Sequence, residues 1–483
     1  MKGLEIRSIL LVSIFSTVLL SGCRDFSVNK INDSIVDNQA LVLGDVQYGV
    51  MRFGNSINGQ SFQQDALITY NNYQYLGYYD GNRHVCVARR ELPEGRWEII
   101  RFKNYVFTVN DAHNTISLGI CPADGSIHLA FDHHANELHY RISKVEIATH
   151  PESVEWDVSL FGDILTELEK GIPVKSITYQ RFVQTPDGGL QLFYRRSGSA
   201  NGNRMVVDYD PSEGLWRNTR QIDSHLGNFS DDVGESSSRG SYPNGYTYGP
   251  DKKLHTTWVW REKATQGSNH DLMYAYSTDG GFSWCNNAGE TLINVISLNS
   301  PEIKVADISR KYGLMNTHGQ SVDSEGHIHT VMWHCSDETF EAAGVIPLET
   351  RWGSPAARRY HHYWRADDGI WQHRELPVVA GNRPKLFLDK NNNAYLIYGS
   401  KMSSASMERE VYFTEGELVI MAATAKAEWN DWKVIHTEKG PFMNEMLGDT
   451  HRWNEDEILS VMVQESPEKH EPTTLRILDF KLR

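Results

Sequence analysis

A strand-like apolar run that follows a turn rich in Asp, Asn or Gly recurs seven times along this 483-residue chain. The runs lie at residues 72–80, 126–134, 189–196, 253–262, 327–335, 393–401 and 457–465. Successive runs are 54 to 74 residues apart. So regular a period indicates a repeat architecture, in which each unit folds into one small supersecondary structure.

Each unit continues with two more strand-like segments, which a polar turn joins. Residues 84–102, 205–221, 273–284 and 360–375 show this pattern, and the second segment carries a Trp. Four short strands in each of seven units predict an all-β fold, a seven-bladed β-propeller in a single domain over residues 44–483. Two or three β-sandwiches are the alternative, but they would not require an even period.

The N-terminus is typical of an export signal. Lys2 and Arg7 precede an apolar stretch over residues 9–20, and the sequence Leu-Ser-Gly-Cys ends at Cys23. We therefore predict a lipoprotein signal peptide over residues 1–22, cleaved so that the Cys23 thiol is acylated. An ordinary secretory signal is the alternative, and the apolar stretch is too short to span a membrane. We expect residues 23–43 to form a polar tether.

The net charge of the chain limits the kinds of partner that it can bind. The formal net charge of −15 argues against binding of nucleic acid, so an acidic ligand would need a local basic groove. We expect a monomer whose membrane contact is limited to the lipid anchor at Cys23. It would be exported, either as a lipoprotein of the cell envelope, in the outer membrane, or as a secreted protein.

Polar side chains occupy the positions that a propeller gathers at one mouth of its central channel. These positions lie just before the innermost strand and just after the second strand of a blade. The residues found there include His113, Tyr179, Tyr242, Arg383, His133, His134, Arg195, Arg196, Arg261 and His334. Together they form a set suited to acid/base chemistry and to binding an anion.

Arg, His and Tyr together suit β-elimination from a uronic acid. Arg binds a carboxylate bidentately and stays charged, while His or Tyr removes the C5 proton and the other protonates the leaving oxygen. Tyr acts as a base only where nearby cations lower its pKa from about 10. No glycine-framed nucleophilic Ser occurs, and the mouth lacks the paired carboxylates of a glycosidase.

Five motifs carry a family resemblance. They are NDAHNTI at 110–116, FDHH at 131–134, FYRRSG at 193–198, SRGSY at 238–242 and LHTTWVWRE at 254–262. In this combination the chain resembles the BNR-repeat propellers that include bacterial ulvan lyases, most closely polysaccharide lyase family twenty-five. The resemblance implies an endo-acting lyase whose partner is ulvan, a sulfated polysaccharide of rhamnose and uronic acids. Its product would carry a 4,5-unsaturated uronyl end.

The resemblance also implies roles for residues. His113 and Tyr179 would be the acid/base pair, with the order of their roles left open, and Arg195 would neutralise the uronate. A second set would bind and orient the sugar: His133, His134, Arg196, Tyr242 and His255.

Two members of the second set have competing interpretations. Tyr246 and Tyr248 lie close to Tyr242 in sequence. His255 shares an early position in its repeat with His128 and with His329, which favours a structural role for all three.

The predicted chemistry requires no cofactor. His334, Cys335 and His361 offer nitrogen and sulfur ligands that suit a structural Zn²⁺, although their spacing matches no compact zinc motif. Two other functions stay open. One is a non-catalytic glycan-binding propeller at the cell surface, and the other is a sialidase-like hydrolase, which would need several aspartate boxes where residues 277–284 supply one clear copy.

Overall fold

The computed structural model describes residues 26–60, 62–262, 269–347, 354–401, 416–443 and 445–483. Strands dominate these residues, and two short α-helices, α1 (Asp337–Ala343) and α2 (Thr450–Asp456), lie between them. The expected all-β class is therefore confirmed. The signal peptide and Cys23 lie outside the described residues. None of the described helices is long and apolar enough to cross a membrane.

The described strands are numbered in chain order. The first fifteen are β1 (Val28–Ala40), β2 (Leu67–Tyr70), β3 (Tyr73–Tyr79), β4 (His84–Glu91), β5 (Glu98–Val106), β6 (Ile116–Ile120), β7 (Ile127–Phe131), β8 (His134–Asn136), β9 (Tyr140–Ile142), β10 (Ile177–Gln184), β11 (Leu190–Gly198), β12 (Asn201–Asp210), β13 (Leu215–Gln221), β14 (Leu226–Asp231) and β15 (Gly234–Pro243). The others are β16 (Thr247–Tyr248), β17 (Leu254–Glu262), β18 (Asn269–Ser277), β19 (Lys304–Ala306), β20 (Gly319–Val322), β21 (Ile328–His334), β22 (Arg359–Arg365), β23 (Trp371–Val379), β24 (Lys385–Leu388), β25 (Ala394–Gly399), β26 (Gly416–Ala423), β27 (Lys433–Phe442), β28 (Leu447–Gly448), β29 (Ile458–Gln464) and β30 (Thr473–Leu482).

Most of these strands form antiparallel meanders of four. The orders β2-β3-β4-β5, β20-β21-β22-β23 and β24-β25-β26-β27 are uninterrupted, and β6-β7-β9 is a shorter sheet of three. A sheet of eleven strands contains two further meanders, β10-β11-β12-β13 and β15-β17-β18-β19. A single parallel pairing, Gly202 with Gly240, joins them. The four-stranded repeat that the sequence predicts is thus present.

The N-terminal segment differs from the expected tether. Residues 28–40 form β1, which pairs antiparallel with β30 from Val28 opposite Leu482 to Ala40 opposite Thr473. This strand completes a sheet whose other members, β30, β29 and β28, come from the C-terminal end of the chain. The polar sequence of this strand contains only two buried apolar residues, Val36 and Ala40, and most of its other residues are exposed or half-buried.

Apolar faces of neighbouring sheets pack against each other to form the core. Tyr75 and Val87 of one sheet, for example, share a buried cluster with Leu118 and Leu129 of the next. The first strands of several sheets surround a cavity of about 450 Å³, to which β10, β20, β24 and β28 contribute residues. Among the candidate functional residues, His113 lies just before β6, Tyr179 lies near the start of β10, and Tyr242 lies near the C-terminal end of β15.

Candidate active site

Tyr179 lies at an irregularity in the first strand of its sheet. The pairing of β10 with β11 shifts register between Thr178 and Arg181, and Tyr179 between them has a φ of 57°. A left-handed backbone is unfavourable for a bulky non-glycine residue, and such strain concentrates at functional sites. The bulge turns the Tyr179 ring toward Phe62, whose centroid is 5.1 Å away.

Arg195 of β11 packs against two adjacent tyrosine rings. Its guanidinium carbon is 4.6 Å from the centroid of Tyr179 and 4.7 Å from that of Tyr242. The side chain is 2% exposed, and none of its three nitrogens makes a hydrogen bond of good geometry to a described residue, although the Tyr179 and Tyr242 hydroxyls lie close enough to interact with it. A buried guanidinium without an acceptor of good geometry is costly, so this geometry favours an incoming anion such as a carboxylate.

Tyr242 of β15 is the more polarised of the two phenols. Its hydroxyl accepts a hydrogen bond from Arg261 Nη1 at 3.1 Å and lies 2.8 Å from Ser199 Oγ. Burial alone would raise its pKa, but the guanidinium groups of Arg261 and Arg195 outweigh burial, and the pKa of Tyr242 is lowered. Burial and the neighbouring Tyr242 raise the pKa of Tyr179, which therefore stays protonated near neutral pH.

Asp111 links two stacked histidines. Its Oδ1 lies 2.9 Å from His113 Nδ1 and its Oδ2 lies 2.8 Å from His134 Nδ1. The two imidazole rings stack with centroids 4.3 Å apart. Because an ionised carboxylate only accepts hydrogen bonds, each Nδ1 carries a proton, and a neutral His113 keeps the lone pair of its Nε2.

His113 and Asp111 are in the protonation states that their hydrogen bond requires. Burial lowers the pKa of His113 to about 4, so its imidazole is neutral near pH 7. Burial works to raise the pKa of Asp111, but the hydrogen bonds from His113 and His134 outweigh it and the pKa is lowered. Phe62 stacks on the free face of His113, with centroids 5.2 Å apart. The His113 and Tyr179 rings are 5.9 Å apart.

The structure thus brings together the three predicted catalytic residues His113, Tyr179 and Arg195, with His134 and Tyr242 from the substrate-binding set. Tyr246 and Tyr248 are not at this site. Tyr246 stacks on Phe193, and the Tyr248 hydroxyl donates to Gln191 Oε1 at 2.8 Å.

Three other members of the substrate-binding set lie elsewhere. His133 is fully buried, and its Nε2 accepts the backbone N–H of His139 at 2.8 Å. Arg196 is exposed. His255 lies near the opposite end of β17 from Arg261, six residues away or roughly 20 Å along a strand, and its Nδ1 contacts the Tyr274 hydroxyl at 2.9 Å. These contacts favour a structural role for His133 and His255.

The three residues considered for zinc do not turn toward a common point. The rings of His334 and His361 stack face to face with centroids 3.5 Å apart. His334 Nδ1 lies 2.8 Å from the Cys335 carbonyl, and its Nε2 lies 2.9 Å from the Tyr363 hydroxyl. Among the described residues, the groups spaced for a metal ion are Asp111 with His113 and His134, and Asp323 with Glu325 and His327.

Asp111, Phe62 and Ser199 are site residues that the sequence patterns did not single out. Asp111 stands two residues before His113 in the motif NDAHNTI, and an Asp beside a candidate base is a signal that could have been used. Phe62 and Ser199 lie in loops that carry no recognisable pattern. Arg261 belongs to the predicted set of mouth residues, but its contact with Tyr242 depends on pairing between β15 and β17.

Comparison with known families and proteins gives consistent results. Residues 73–378 match the model described as BNR repeat-containing family member. A long-isoform ulvan lyase of Alteromonas sp. (strain LOR) is 28% identical over 299 residues, which cover 52% of this chain and 28% of that protein. The long isoform of Pseudoalteromonas sp. (strain PLSV) is 27% identical over 334 residues, covering 58% of this chain and 32% of that protein. The chain thus spans about a third or less of these relatives.

Solved structures share the fold. The polysaccharide lyase Uly1 superposes with a TM-score of 0.71 at 19% identity, covering 94% of this chain and 99% of that one. A PL25 ulvan lyase bound to -[GlcA(1-4)Rha3S]- superposes with a TM-score of 0.64 at 11% identity, covering 92% and 95% of the two chains. At these identities the likeness establishes the fold of the present chain.

Proposed function

The chain belongs to the BNR repeat-containing family, and from that premise we propose that it is an endo-acting polysaccharide lyase. Its substrate would be ulvan, cleaved by β-elimination at uronic acid residues to leave 4,5-unsaturated uronyl ends. The named relatives are ulvan lyases. The observation that carries the proposal is the buried Arg195 guanidinium, which makes no hydrogen bond of good geometry to a described residue.

In the proposed reaction Arg195 binds the uronate carboxylate. A guanidinium matches a carboxylate with two parallel hydrogen bonds, and its charge stabilises the enolate that develops when C5 loses its proton. The adjacent rings of Tyr179 and Tyr242 both pack against the guanidinium and hold it in place. Arg195 therefore acts on the reacting centre through charge and orientation.

We assign the base to His113 and the acid to Tyr179. His113 is neutral with a free Nε2, so it can accept the C5 proton, while the raised pKa of Tyr179 keeps its hydroxyl proton available. As the C4–O bond breaks, electrons from the C5–H bond form the C4=C5 double bond and Tyr179 protonates the leaving oxygen. Proton transfer from His113 to the tyrosinate, through solvent, restores both groups. Side chains suffice, so no cofactor is proposed for the chemistry.

We further propose that the meanders are the blades of a seven-bladed propeller. Three uninterrupted four-stranded sheets, the sheet closed by β1, the β6-β7-β9 sheet and the two meanders of the long sheet make seven units. A shared cavity bordered by the first strands supports this arrangement, because innermost strands surround the channel of a propeller. Pairing of β1 with β30 would join the two chain ends within one blade.

The proposal of export rests on the N-terminal sequence alone. We propose a monomeric lipoprotein of the cell envelope that is anchored through Cys23 and cleaves ulvan outside the cytoplasm. Radiolabelled palmitate should be incorporated into the full-length protein and not into a Cys23→Ser variant. Equal labelling of both proteins would contradict the anchor.

The lyase proposal is tested by mixing the purified protein with ulvan and following ultraviolet absorbance of the unsaturated uronate. We expect absorbance to rise while polymer size falls quickly, as endo cleavage requires, and Tyr179→Phe to abolish the rise. Binding of ulvan without new absorbance would indicate a glycan-binding propeller instead. Release of saturated reducing ends would indicate a hydrolase.

A further inference from the structure

The cavity among the first strands lies behind the candidate active site. Phe62 separates the two, since its ring stacks on His113 while its carbonyl oxygen accepts a hydrogen bond from Arg181 Nε at 3.1 Å. Arg181, His318 and Lys385 line the cavity. His113 and Arg195 do not, so this space is separate from the proposed reaction centre.

Arg181 places a cation at this cavity without a matching anion. The side chain is 1% exposed, and it donates hydrogen bonds to two backbone carbonyls, those of Phe62 and of Pro243 at 3.3 Å. No carboxylate of the described residues forms an ion pair with it. Burial lowers the pKa of Arg181 to about 10, which reflects how poorly the surroundings compensate the charge.

His318 adds a hydrogen-bond donor that lacks an acceptor. The residue is fully buried, and its Nε2 accepts the backbone N–H of Trp333 at 3.3 Å. In a neutral imidazole the other nitrogen then carries the proton. That Nδ1 has no partner among the described residues. A buried N–H left in this state is costly unless a ligand accepts its hydrogen bond.

Lys385, at the start of β24, supplies a second cation. Burial and the nearby Arg181 lower its pKa to about 7. Two carboxylates nearby, Glu445 and Asp65, work to raise the pKa of Lys385. Glu445 also pairs with Arg383 at 2.6 Å, and Asp65 lies 3.7 Å from His451. Among the residues that line the cavity, the basic side chains besides two histidines are Arg181 and Lys385, and the acidic one is Asp65.

We propose that this cavity is a binding site for a small tetrahedral oxyanion, sulfate or phosphate, held by Arg181, Lys385 and His318. Such an ion offers acceptor oxygens to the guanidinium, the ammonium and the unpartnered imidazole N–H. The ion also supplies negative charge close to both Arg181 and Lys385. Because Arg181 also holds the Phe62 carbonyl, the bound ion fixes the loop that packs Phe62 against His113. The inference of this site does not rest on the proposed lyase activity.

The test is thermal unfolding of the purified protein in chloride buffer, with sulfate or phosphate added at millimolar concentration. Sodium chloride and sodium acetate at equal ionic strength are the comparison arms. Low concentrations matter because concentrated sulfate stabilises proteins generally through exclusion from their surfaces. We expect a saturable rise in Tm with sulfate and with phosphate, and calorimetric titration at one ion per chain. A shift that does not saturate, or that chloride or acetate reproduces, overturns the proposal.

Lysine substitutions test whether the ion binds in this cavity. Lys385→Met keeps the length of the side chain and removes its charge, so the sulfate shift should shrink to less than half. Lys385→Gln is a second form in case the first does not fold. The matched control is Lys390→Met, which alters a 74% exposed lysine in the turn after β24 and should keep the full shift. An undiminished shift in either Lys385 variant overturns the assignment.

Discussion

At the scale of single residues, the site depends on Asp111, which reaches two imidazoles at once. In Asp111→Asn the side-chain NH2 group would point at the Nδ1 of one of the two histidines. Because that Nδ1 itself donates a hydrogen bond in the unaltered protein, the histidine would have to change tautomer. We expect kcat for ulvan cleavage to fall about 100-fold or more, since a misplaced proton on the base removes its lone pair. Steady-state kinetics with the fully folded variant measures the loss.

The matched control for this substitution is Asp163→Asn, which makes the same chemical change at an exposed residue. It should retain the activity of the unaltered protein. A kcat for Asp111→Asn within about threefold of the control would show that the carboxylate does not position the base.

The environment of His113 predicts the acid limb of the pH profile. Burial lowers the pKa of this imidazole to about 4, so the base is lost only as pH falls through that value. We expect kcat/KM to stay level with decreasing pH until about 4 and then to decline. A decline centred near the ordinary histidine pKa of about 6.5 would contradict the assignment of His113 as base.

Sequence patterns identified the candidate reactive residues better than the residues that contact and orient them. His113, Tyr179 and Arg195 stand in short motifs, and the structure places them together. His133 and His255 stand in equally suggestive motifs but make interior contacts with His139 and Tyr274. Which face of a strand a side chain occupies depends on register and bulges, and sequence alone does not specify these in a chain with many similar strands.

At the scale of elements, β1 is the segment whose structure differs most from expectation. Its sequence reads as a polar linker because its alternating pattern contains few apolar residues. Its partner β30 lies more than 400 residues away, and no local sequence pattern predicts such a pairing. Asp37 adds long-range contacts, accepting hydrogen bonds from the Tyr78 hydroxyl at 2.7 Å and from Arg101 Nη2 at 2.6 Å.

Removing β1 should therefore destabilise the protein. Burial of Val36 contributes about 1.5–3 kcal/mol, and the hydrogen bonds to the Asp37 carboxylate contribute about 1.5–3 kcal/mol each. We expect a chain that begins at residue 41 to have a Tm lower by roughly 5–10 °C in differential scanning calorimetry. A chain that begins at residue 26 is the control. Equal Tm values for the two would mean that β1 is the dispensable tether first expected.

At the scale of the whole molecule, a buried ion network joins the N-terminal and C-terminal parts of the chain. Asp479 of β30 accepts a hydrogen bond from Arg90 of β4 at 2.8 Å and forms an ion pair with Arg452 of α2 at 2.7 Å, and all three side chains are almost fully buried. Removing one partner leaves buried charges uncompensated. We expect Asp479→Asn to reduce the free energy of unfolding by about 3–5 kcal/mol, measured by urea denaturation.

An exposed ion pair between β1 and β30 provides the comparison. Asp33 of β1 lies 3.1 Å from Arg476 of β30, with both side chains partly exposed. Asp33→Asn should cost less than about 1 kcal/mol. Losses of similar size in the two variants would mean that the buried network stabilises the fold no more than a surface ion pair does.

The repeat period predicted the general architecture because it depends on many residues at once. Each unit needs its turn and its apolar strand, so the pattern survives variation at single positions. The joining of two meanders through Gly202 and Gly240 could not be foreseen. A single backbone pairing leaves no trace in side-chain periodicity.

The most direct test of the central claim compares two adjacent arginines. Arg195 is buried against Tyr179 and Tyr242, whereas Arg196 is exposed on the same strand. Arg195→Met and Arg196→Met would each be mixed with ulvan while ultraviolet absorbance of the unsaturated product is followed. We predict at least a 1000-fold loss of kcat/KM for Arg195→Met, or about 4 kcal/mol of transition-state stabilisation, and near-normal activity for Arg196→Met. Equal activity in the two variants, or no product from the unaltered protein, would contradict the account.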